Sequence, residues 1–323
     1  MKTILETLDG GTQWLEKKGI EDARRNMQLL ICHQLDCSKI QLYTRFDETL
    51  SEEDLAPLRD KLKLRGEGTP LQHLLGTVEF YRKEFKTDGR ALIPRPETEE
   101  LVEIAIELAN EKLSTTHAIP APPEPSTDGH HEEGEMAEEL PTPETVNELE
   151  SEDIPKLKIL DMGCGSGVIG ISLAGELGPR VEVTCADISE EALSLAKENS
   201  ELLGIKNVTF LHSNLFSNIE DDYDIIVANL PYVPETDRSS LAPELEHDPD
   251  LALYGGEDGL DIIKIFVQQV TSHLKTDANI ALEIGIHQHI EVELLIKQAG
   301  FSNIKTQQDL TGIHRFPIAS YTA

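Results

Sequence analysis

Over residues 1–65 apolar side chains recur at helical spacing: Ile4, Leu5 and Leu8 with Trp14 and Leu15, then Ala23, Met27, Leu30 and Ile31, then Leu55, Leu58 and Leu62. Ser51 ahead of Glu52-Glu53-Asp54 reads as an N-cap with acids in the first turn. A small helical bundle is the prediction for this stretch. Residues 77–93 alternate instead, and Thr87-Asp88-Gly89 supplies a hairpin turn signal. Helical spacing returns from Thr98 to Asn110, with Leu101, Ile104, Ala105 and Leu108 on one face. From 157 onward short apolar runs alternate with amphipathic ones. Strands are predicted near 157–161, 181–186, 207–211, 223–229, 278–284, 303–307 and 313–319, and helices near 168–177, 189–203, 258–275 and 287–299. Such alternation predicts an α/β domain with a doubly wound, mostly parallel sheet, whose ligands sit at the C-terminal edge of the strands.

One stretch breaks the pattern. Residues 114–155 hold twelve acids, no Lys or Arg, and seven of the seventeen prolines of this 323-residue chain. That composition predicts a loop-like or disordered insertion. An acidic interaction tail and an inert spacer both fit it, and its His130-His131 pair makes a poor metal site. Without the insertion the formal charge of −32 falls to about −20, still strongly acidic. Such a surface repels phosphate, which argues against direct nucleic-acid binding and suits a protein partner with a basic face. A generally acidic proteome explains the charge equally well. Cys32, Cys37, Cys164 and Cys185 show neither C-x-x-C nor metal-ligand spacing, so reduced thiols and no metal are expected. With no signal-peptide pattern and no long apolar run, the expectation is a cytoplasmic protein without a membrane anchor, and nothing demands more than a monomer.

The candidate chemistry lies at strand ends. Lys158-Ile159-Leu160-Asp161-Met162 runs into Gly163-Cys164-Gly165-Ser166-Gly167, and Val168 opens a helix. Glycines in such a turn let the backbone approach a ligand closely. The next strand ends in Asp187, where a carboxylate can accept from both hydroxyls of a ribose. Gly165-Ser166-Gly167-Val168-Ile169-Gly170 also satisfies the dinucleotide fingerprint G-x-G-x-x-G, so the loop alone leaves two cofactor classes open. Asp161 favours S-adenosyl-L-methionine, because a carboxylate before the glycines opposes a pyrophosphate and welcomes an ammonium.

The other strand end carries Asn229-Leu230-Pro231-Tyr232 after the apolar run Ile225-Ile226-Val227-Ala228. Asn offers a carbonyl acceptor, Pro231 stiffens the turn and Tyr232 offers a flat wall. Together they have the parts to hold a planar NH2 group, a weak nucleophile that needs positioning before it can take a methyl group. An ordinary strand-to-loop turn uses the same residue types.

The chain resembles the glutamine N5-methyltransferases that modify class-1 peptide chain release factors. The likeness spans nearly the whole chain apart from the insertion. It rests on Gly68-Thr69-Pro70-Leu71-Gln72-His73-Leu74-Leu75-Gly76, Glu79-Phe80-Tyr81, Leu92-Ile93-Pro94-Arg95-Pro96-Glu97-Thr98-Glu99, the glycine loop, Asn229-Leu230-Pro231-Tyr232, Tyr254-Gly255-Gly256-Glu257-Asp258-Gly259-Leu260-Asp261, Glu283-Ile284-Gly285 and Asp309-Leu310-Thr311-Gly312. Leu230 departs from the family's usual proline. It restores an N–H, while the position before Pro231 keeps its extended bias.

The resemblance implies a seven-stranded, Rossmann-like methyltransferase sheet with an antiparallel last strand. The implied division is a helical recognition domain over 1–75, a linking β-hairpin over 76–95, and a methyltransferase domain over 96–323 that contains the 114–155 insertion. It further implies S-adenosyl-L-methionine as cofactor, a class-1 release factor as partner, and the glutamine of its Gly-Gly-Gln motif as methyl acceptor. Catalysis and substrate binding would fall to Asn229, Leu230, Pro231 and Tyr232, under a lip of Pro94, Arg95, Pro96, Glu97 and Thr98. Cofactor contacts would come from Asp161, Gly163, Cys164, Gly165, Ser166, Gly167, Asp187, Asn214, Leu215 and Asn229. Arg95 could equally make a structural ion pair, and Glu283, at a strand end, is either a pocket residue or, the preferred reading, a domain-bridging acceptor. A ribosomal-protein glutamine, an adenine N6 amine, and a binding module without catalysis are the competing readings.

Overall fold

The computed structural model describes residues 2–116, 156–241 and 243–322. Helices α1 (Ile4–Lys17), α2 (Ala23–Gln34), α3 (Lys39–Thr44), α4 (Glu52–Gly66) and α5 (Leu71–Leu75) form the N-terminal bundle. Their apolar stripes meet in one core of Ile4, Leu8, Leu15, Met27, Leu30, Ile31, Leu42, Leu55 and Leu58. Capping boxes start α1 at Thr3, α3 at Ser38 and α4 at Ser51, where Asp54 returns the Ser51 bond.

Strands β1 (Thr77–Phe80) and β2 (Lys83–Lys86) pair antiparallel. The expected hairpin exists, but its turn is Tyr81-Arg82 and not Thr87-Asp88-Gly89. Both turn residues take left-handed backbone, φ 46° and 59°, which glycine or asparagine usually supplies. The Tyr81 N–H donates to Glu99 Oε1 at 3.1 Å, which offsets the local cost. Thr87-Asp88-Gly89 instead bends the chain toward the 90–96 segment, with the Asp88 carboxylate accepting from the Arg90 backbone and side chain.

Helix α6 (Thr98–Thr116) runs six residues past the expected Asn110, because Ala109 and Leu113 continue its buried stripe. The 114–155 insertion lies outside the described residues from 117 onward. Beyond it come β3 (Leu157–Met162), α7 (Val168–Leu177), β4 (Val181–Asp187), α8 (Glu190–Leu203), β5 (Val208–His212), β6 (Tyr223–Asn229), α9 (Asp250–Leu253), α10 (Asp261–Val270), β7 (Leu274–Glu283), α11 (His289–Gln298), β8 (Ser302–Gln308) and β9 (His314–Tyr321). The seven strands order as β5-β4-β3-β6-β7-β9-β8, parallel except for β9, which runs antiparallel to both neighbours. Helix α10 is shorter than its apolar pattern predicted. Left-handed Gly259 precedes it, Asp258 caps the Leu260 N–H, and the chain past Val270 turns directly into β7.

Both faces of the sheet are covered, which is why its central strands read as unbroken apolar runs. Ile159, Ile225 and Val227 point to the α6 and α7 side, and Leu160, Ile226 and Ala228 to the α10 and α11 side. The order places the C-terminal ends of β3 and β6 side by side, with β4 next to β3. Ligands are expected at this switch point. Among the described residues no helix is long and apolar enough to cross a membrane.

Candidate active site

The three strand ends open into a cavity of about 220 Å³. On its floor Gly163 and Gly165 take left-handed backbone, φ 72° and 55°. The positive φ favours glycine at 163, and a Cβ there would stand 3.0 Å from Leu230 Cδ2, so the loop lies close against the 229–232 turn. Asp187 ties the loop to β4: its Oδ2 accepts from the Gly165 N–H and its Oδ1 from the Ser189 N–H, each at 2.8 Å. Burial raises the Asp187 carboxyl, against the pull of these backbone bonds.

Of the residues singled out by sequence, Gly163, Cys164, Gly165, Ser166, Asp187, Asn214, Leu215, Asn229, Leu230, Pro231, Pro94 and Arg95 line this cavity. Asp161, Gly167, Tyr232, Pro96 and Glu97 do not. Gly167 starts α7 with φ 81°, and a Cβ there would meet Ile171 and Ala196, so this glycine serves the contact of α7 with α8. The Tyr232 ring is turned from the cavity wall and its hydroxyl donates to Glu283 Oε1 at 3.2 Å. Burial and the nearby Glu283 charge raise the Tyr232 phenol and keep it protonated. Cys164 is buried; a hydrogen bond with Cys185 and burial raise its thiol well above the usual range, which removes it as a nucleophile.

Asp161 lies behind the loop, fully buried. Its Oδ2 accepts from the Gly170 N–H at 2.8 Å, and its Oδ1 has no partner among the described residues. Burial pushes this carboxyl up to about 7; the Gly170 bond opposes the rise and the Asp187 charge adds to it. The raised value favours the protonated acid in the fold. The stability it contributes is therefore complete below the ordinary value of 3.8 and is lost as pH rises through about 7. Asp161→Asn is expected to melt higher than the native chain, by a margin that grows from pH 4 to 7 and then levels off. Thermal melts across that range check this.

Several contributors carry no sequence motif. Asn199, fully buried, donates to the Ser166 carbonyl at 3.0 Å and accepts from the Lys86 N–H at 2.7 Å, tying the glycine loop to the hairpin. Asp248, on the 243–249 segment, accepts from the Ile93 N–H at 3.2 Å and pairs with Arg95 at 3.1 Å, so Arg95 does make the ion pair that sequence left open. Arg90 is held by Asp88 and Glu198. Leu251, Ala252, Ile262 and Ile265 add an apolar wall. Apart from the local Arg90–Asp88 pair, these partners come together through long-range packing.

The Asn229 Nδ2 donates to Thr98 Oγ1 at 3.2 Å, and the Thr98 hydroxyl donates to Glu283 Oε2 at 2.8 Å. Glu283 thus bridges α6, β7 and the 229–232 turn. The Asn229 Oδ1 and the Leu230 carbonyl take no hydrogen bond from another described residue.

The residues fit S-adenosyl-L-methionine better than a dinucleotide. Both arginines on the cavity wall are already paired with acids, and the Asp187 carboxylate stands beside the loop. A pyrophosphate would find no free cation among the described residues that line the cavity and would meet an acid there.

Comparison with known proteins decides the family. Residues 6–76 match the PrmC N-terminal domain and residues 154–285 a methyltransferase domain. The release factor glutamine methyltransferase of Deinococcus radiodurans is 31% identical over 97% of this chain and 96% of its own. The chain belongs to the release factor glutamine methyltransferases. Its counterpart from Geobacter sulfurreducens is 33% identical over 97% of this chain and 95% of that one. A solved structure, the hMettl16 catalytic domain in complex with MAT2A 3′UTR hairpin 6, has a TM-score of 0.51 at 10% identity, covering 84% of this chain and 82% of that one, a likeness of fold alone. The two family matches together take in the N-terminal bundle, the glycine loop and the 229–232 turn of this release factor glutamine methyltransferase.

Proposed function

We propose that this chain transfers a methyl group from S-adenosyl-L-methionine to the side-chain amide nitrogen of a glutamine in a class-1 peptide chain release factor. Asn229 carries the reading: its amide is anchored through Nδ2 and leaves Oδ1 at the wall of the cavity that the glycine loop floors. When bound, the cofactor supplies an electrophilic methyl group on a sulfonium, already a good leaving group. The chain's task is the nucleophile, since an amide nitrogen shares its lone pair with its carbonyl.

Asn229 Oδ1 and the Leu230 carbonyl accept the two N–H bonds of the glutamine amide. This grip orients the nitrogen and stabilises the positive charge that grows on it. Pro94 and Pro231 flank the amide, the place that sequence had given to Tyr232. The nitrogen gains the methyl and gives up one proton to water, so no general base is required. Leu251 and Ile265 line the cavity as exposed apolar surface, which a bound factor would cover, limiting solvent and strengthening these dipoles. Asp187 takes the ribose hydroxyls, and Asn214 and Leu215 border the adenine.

In this reading Asp161 meets the ammonium through a water. Asp161→Asn is then expected to weaken cofactor binding about tenfold, read by titration calorimetry, an effect of the size of one charge-assisted hydrogen bond. The enzyme acts in the cytoplasm as a monomer on the free factor. The acidic surface supports a protein partner with a basic face and not a nucleic acid.

The test is mass spectrometry of a purified class-1 release factor after incubation with the chain and labelled S-adenosyl-L-methionine. One methyl on one glutamine is expected. An unlabelled factor, with cofactor binding shown to be intact, sinks the proposal.

A further inference from the structure

We infer that Glu283 and Thr98 are positioning residues that decide which end of the Asn229 amide faces the cavity, and thereby select a substrate that donates N–H bonds. The inference rests on the proposed methyl transfer and concerns what enforces its geometry.

The reasoning follows hydrogens along the chain of contacts. A carboxylate has none to give and can only accept. Glu283 Oε1 receives the Tyr232 hydroxyl at 3.2 Å and Oε2 receives the Thr98 hydroxyl at 2.8 Å. Burial raises the Glu283 carboxyl, while the Thr98 hydroxyl, the Arg315 guanidinium and the Tyr232 hydroxyl favour its charged form. Thr98 has one hydrogen, and it is committed to Glu283. Toward Asn229, therefore, its oxygen can only accept, and Asn229 must present its NH2 group at 3.2 Å. Oδ1 is left for the cavity.

A turned amide would set Oδ1 against Thr98 Oγ1, two acceptors with no hydrogen between them. Thr98 is 3% and Glu283 2% exposed, so solvent supplies no replacement donor. One unmade buried hydrogen bond disfavours the turned form by roughly ten- to a hundredfold. With Oδ1 facing inward, a primary amide is gripped through its hydrogens, whereas a carboxylate or an ester oxygen meets another acceptor. A carboxylate some 185 residues away along the chain from Thr98 thus sets the polarity of the substrate pocket.

The test compares Thr98→Val, which keeps shape and loses the hydroxyl, with Thr98→Ser, which keeps the hydroxyl. Single-turnover methylation of a class-1 release factor is expected to slow about thirtyfold in Thr98→Val and to stay within about threefold of native in Thr98→Ser. Affinity for S-adenosyl-L-methionine should stay within twofold in both. Inhibition separates polarity from mere support. A release factor whose acceptor glutamine is replaced by glutamate should inhibit Thr98→Val at least fivefold more strongly than the native chain, since a freed Asn229 can turn its NH2 to meet the carboxylate.

If Thr98→Val melts far below the native chain, Thr98→Cys, a weaker donor of similar volume, takes its place with an expected loss of about tenfold. Native-like turnover in the hydroxyl-free variant, a serine variant as slow as the valine one, or unchanged inhibition by the glutamate factor overturns the inference. A native chain that leaves the factor unmethylated removes the proposed function and the inference with it. A native chain that methylates while Thr98→Val keeps pace leaves the function standing and removes only the relay.

Discussion

Replacing Asn229 with alanine is expected to lower kcat about a thousandfold while the affinity for S-adenosyl-L-methionine stays within a few-fold. The size follows from what the side chain does. Preorganised polar groups aimed at developing charge are each worth on the order of a hundred- to a thousandfold in rate, because a dry site does not screen them. Asn229→Ala removes one of two acceptors for the amide hydrogens, and with it the grip that orients the nitrogen. It also deprives Thr98 of its donor. The contacts proposed for the cofactor at Gly163, Gly165 and Asp187 stay in place, since those residues are held by β3, β4 and α8. Single-turnover rates and titration calorimetry on the same preparation separate the two effects. A variant that methylates within tenfold of native would exclude the amide grip; one that loses cofactor binding equally would reassign Asn229 to the cofactor.

Strand ends and glycines made much of this site legible in the sequence. Asn229 was readable because it is the first polar residue after the unbroken apolar run Ile225–Ala228, and Asp187 because it ends the strand pattern that follows the glycine loop, at the edge where ligands bind. The loop of 163–167 was readable because its positive φ values admit little but glycine. Tyr81-Arg82 was not, since neither residue advertises the left-handed turn that Glu99 and the hairpin impose on them. Asp161 was assigned to the right neighbourhood but lies behind the wall and not on it. Tyr232 was misplaced for a different reason: an aromatic ring beside a pocket can face the ligand or prop the ligand's holder, and only Glu283 decides. Asn199, Asp248 and Arg65 belong to a class that no local pattern reveals. Buried Arg65 donates to Asn26 within the bundle and pairs with Glu244 on the 243–249 segment, 179 positions away.

Gly255→Ala is expected to cost the enzyme both stability and turnover, although residue 255 lines no part of the cavity. The run Tyr254-Gly255-Gly256-Glu257-Asp258-Gly259 lies directly behind the 229–232 turn, backbone against backbone. The Gly255 N–H donates to the Val233 carbonyl at 3.0 Å. A Cβ at Gly255 would stand 2.4 Å from both the Pro231 and the Gly259 carbonyl oxygens. Neither is the end of a flexible side chain, so the turn itself must move. Overpacking of this kind costs about 1–3 kcal/mol, or roughly 2–5 °C in Tm for a chain of this size. Displacing the acceptor carbonyls by as little as about 1 Å is enough to lose about a hundredfold in kcat. Gly10→Ala is the matching control. Its Cβ meets nothing within 4 Å in the interior of α1, so that change should raise stability by about 0.5–1 kcal/mol and leave turnover alone. If Gly255→Ala instead melts and turns over like Gly10→Ala, the 254–259 run is not what holds the Asn229 turn in place.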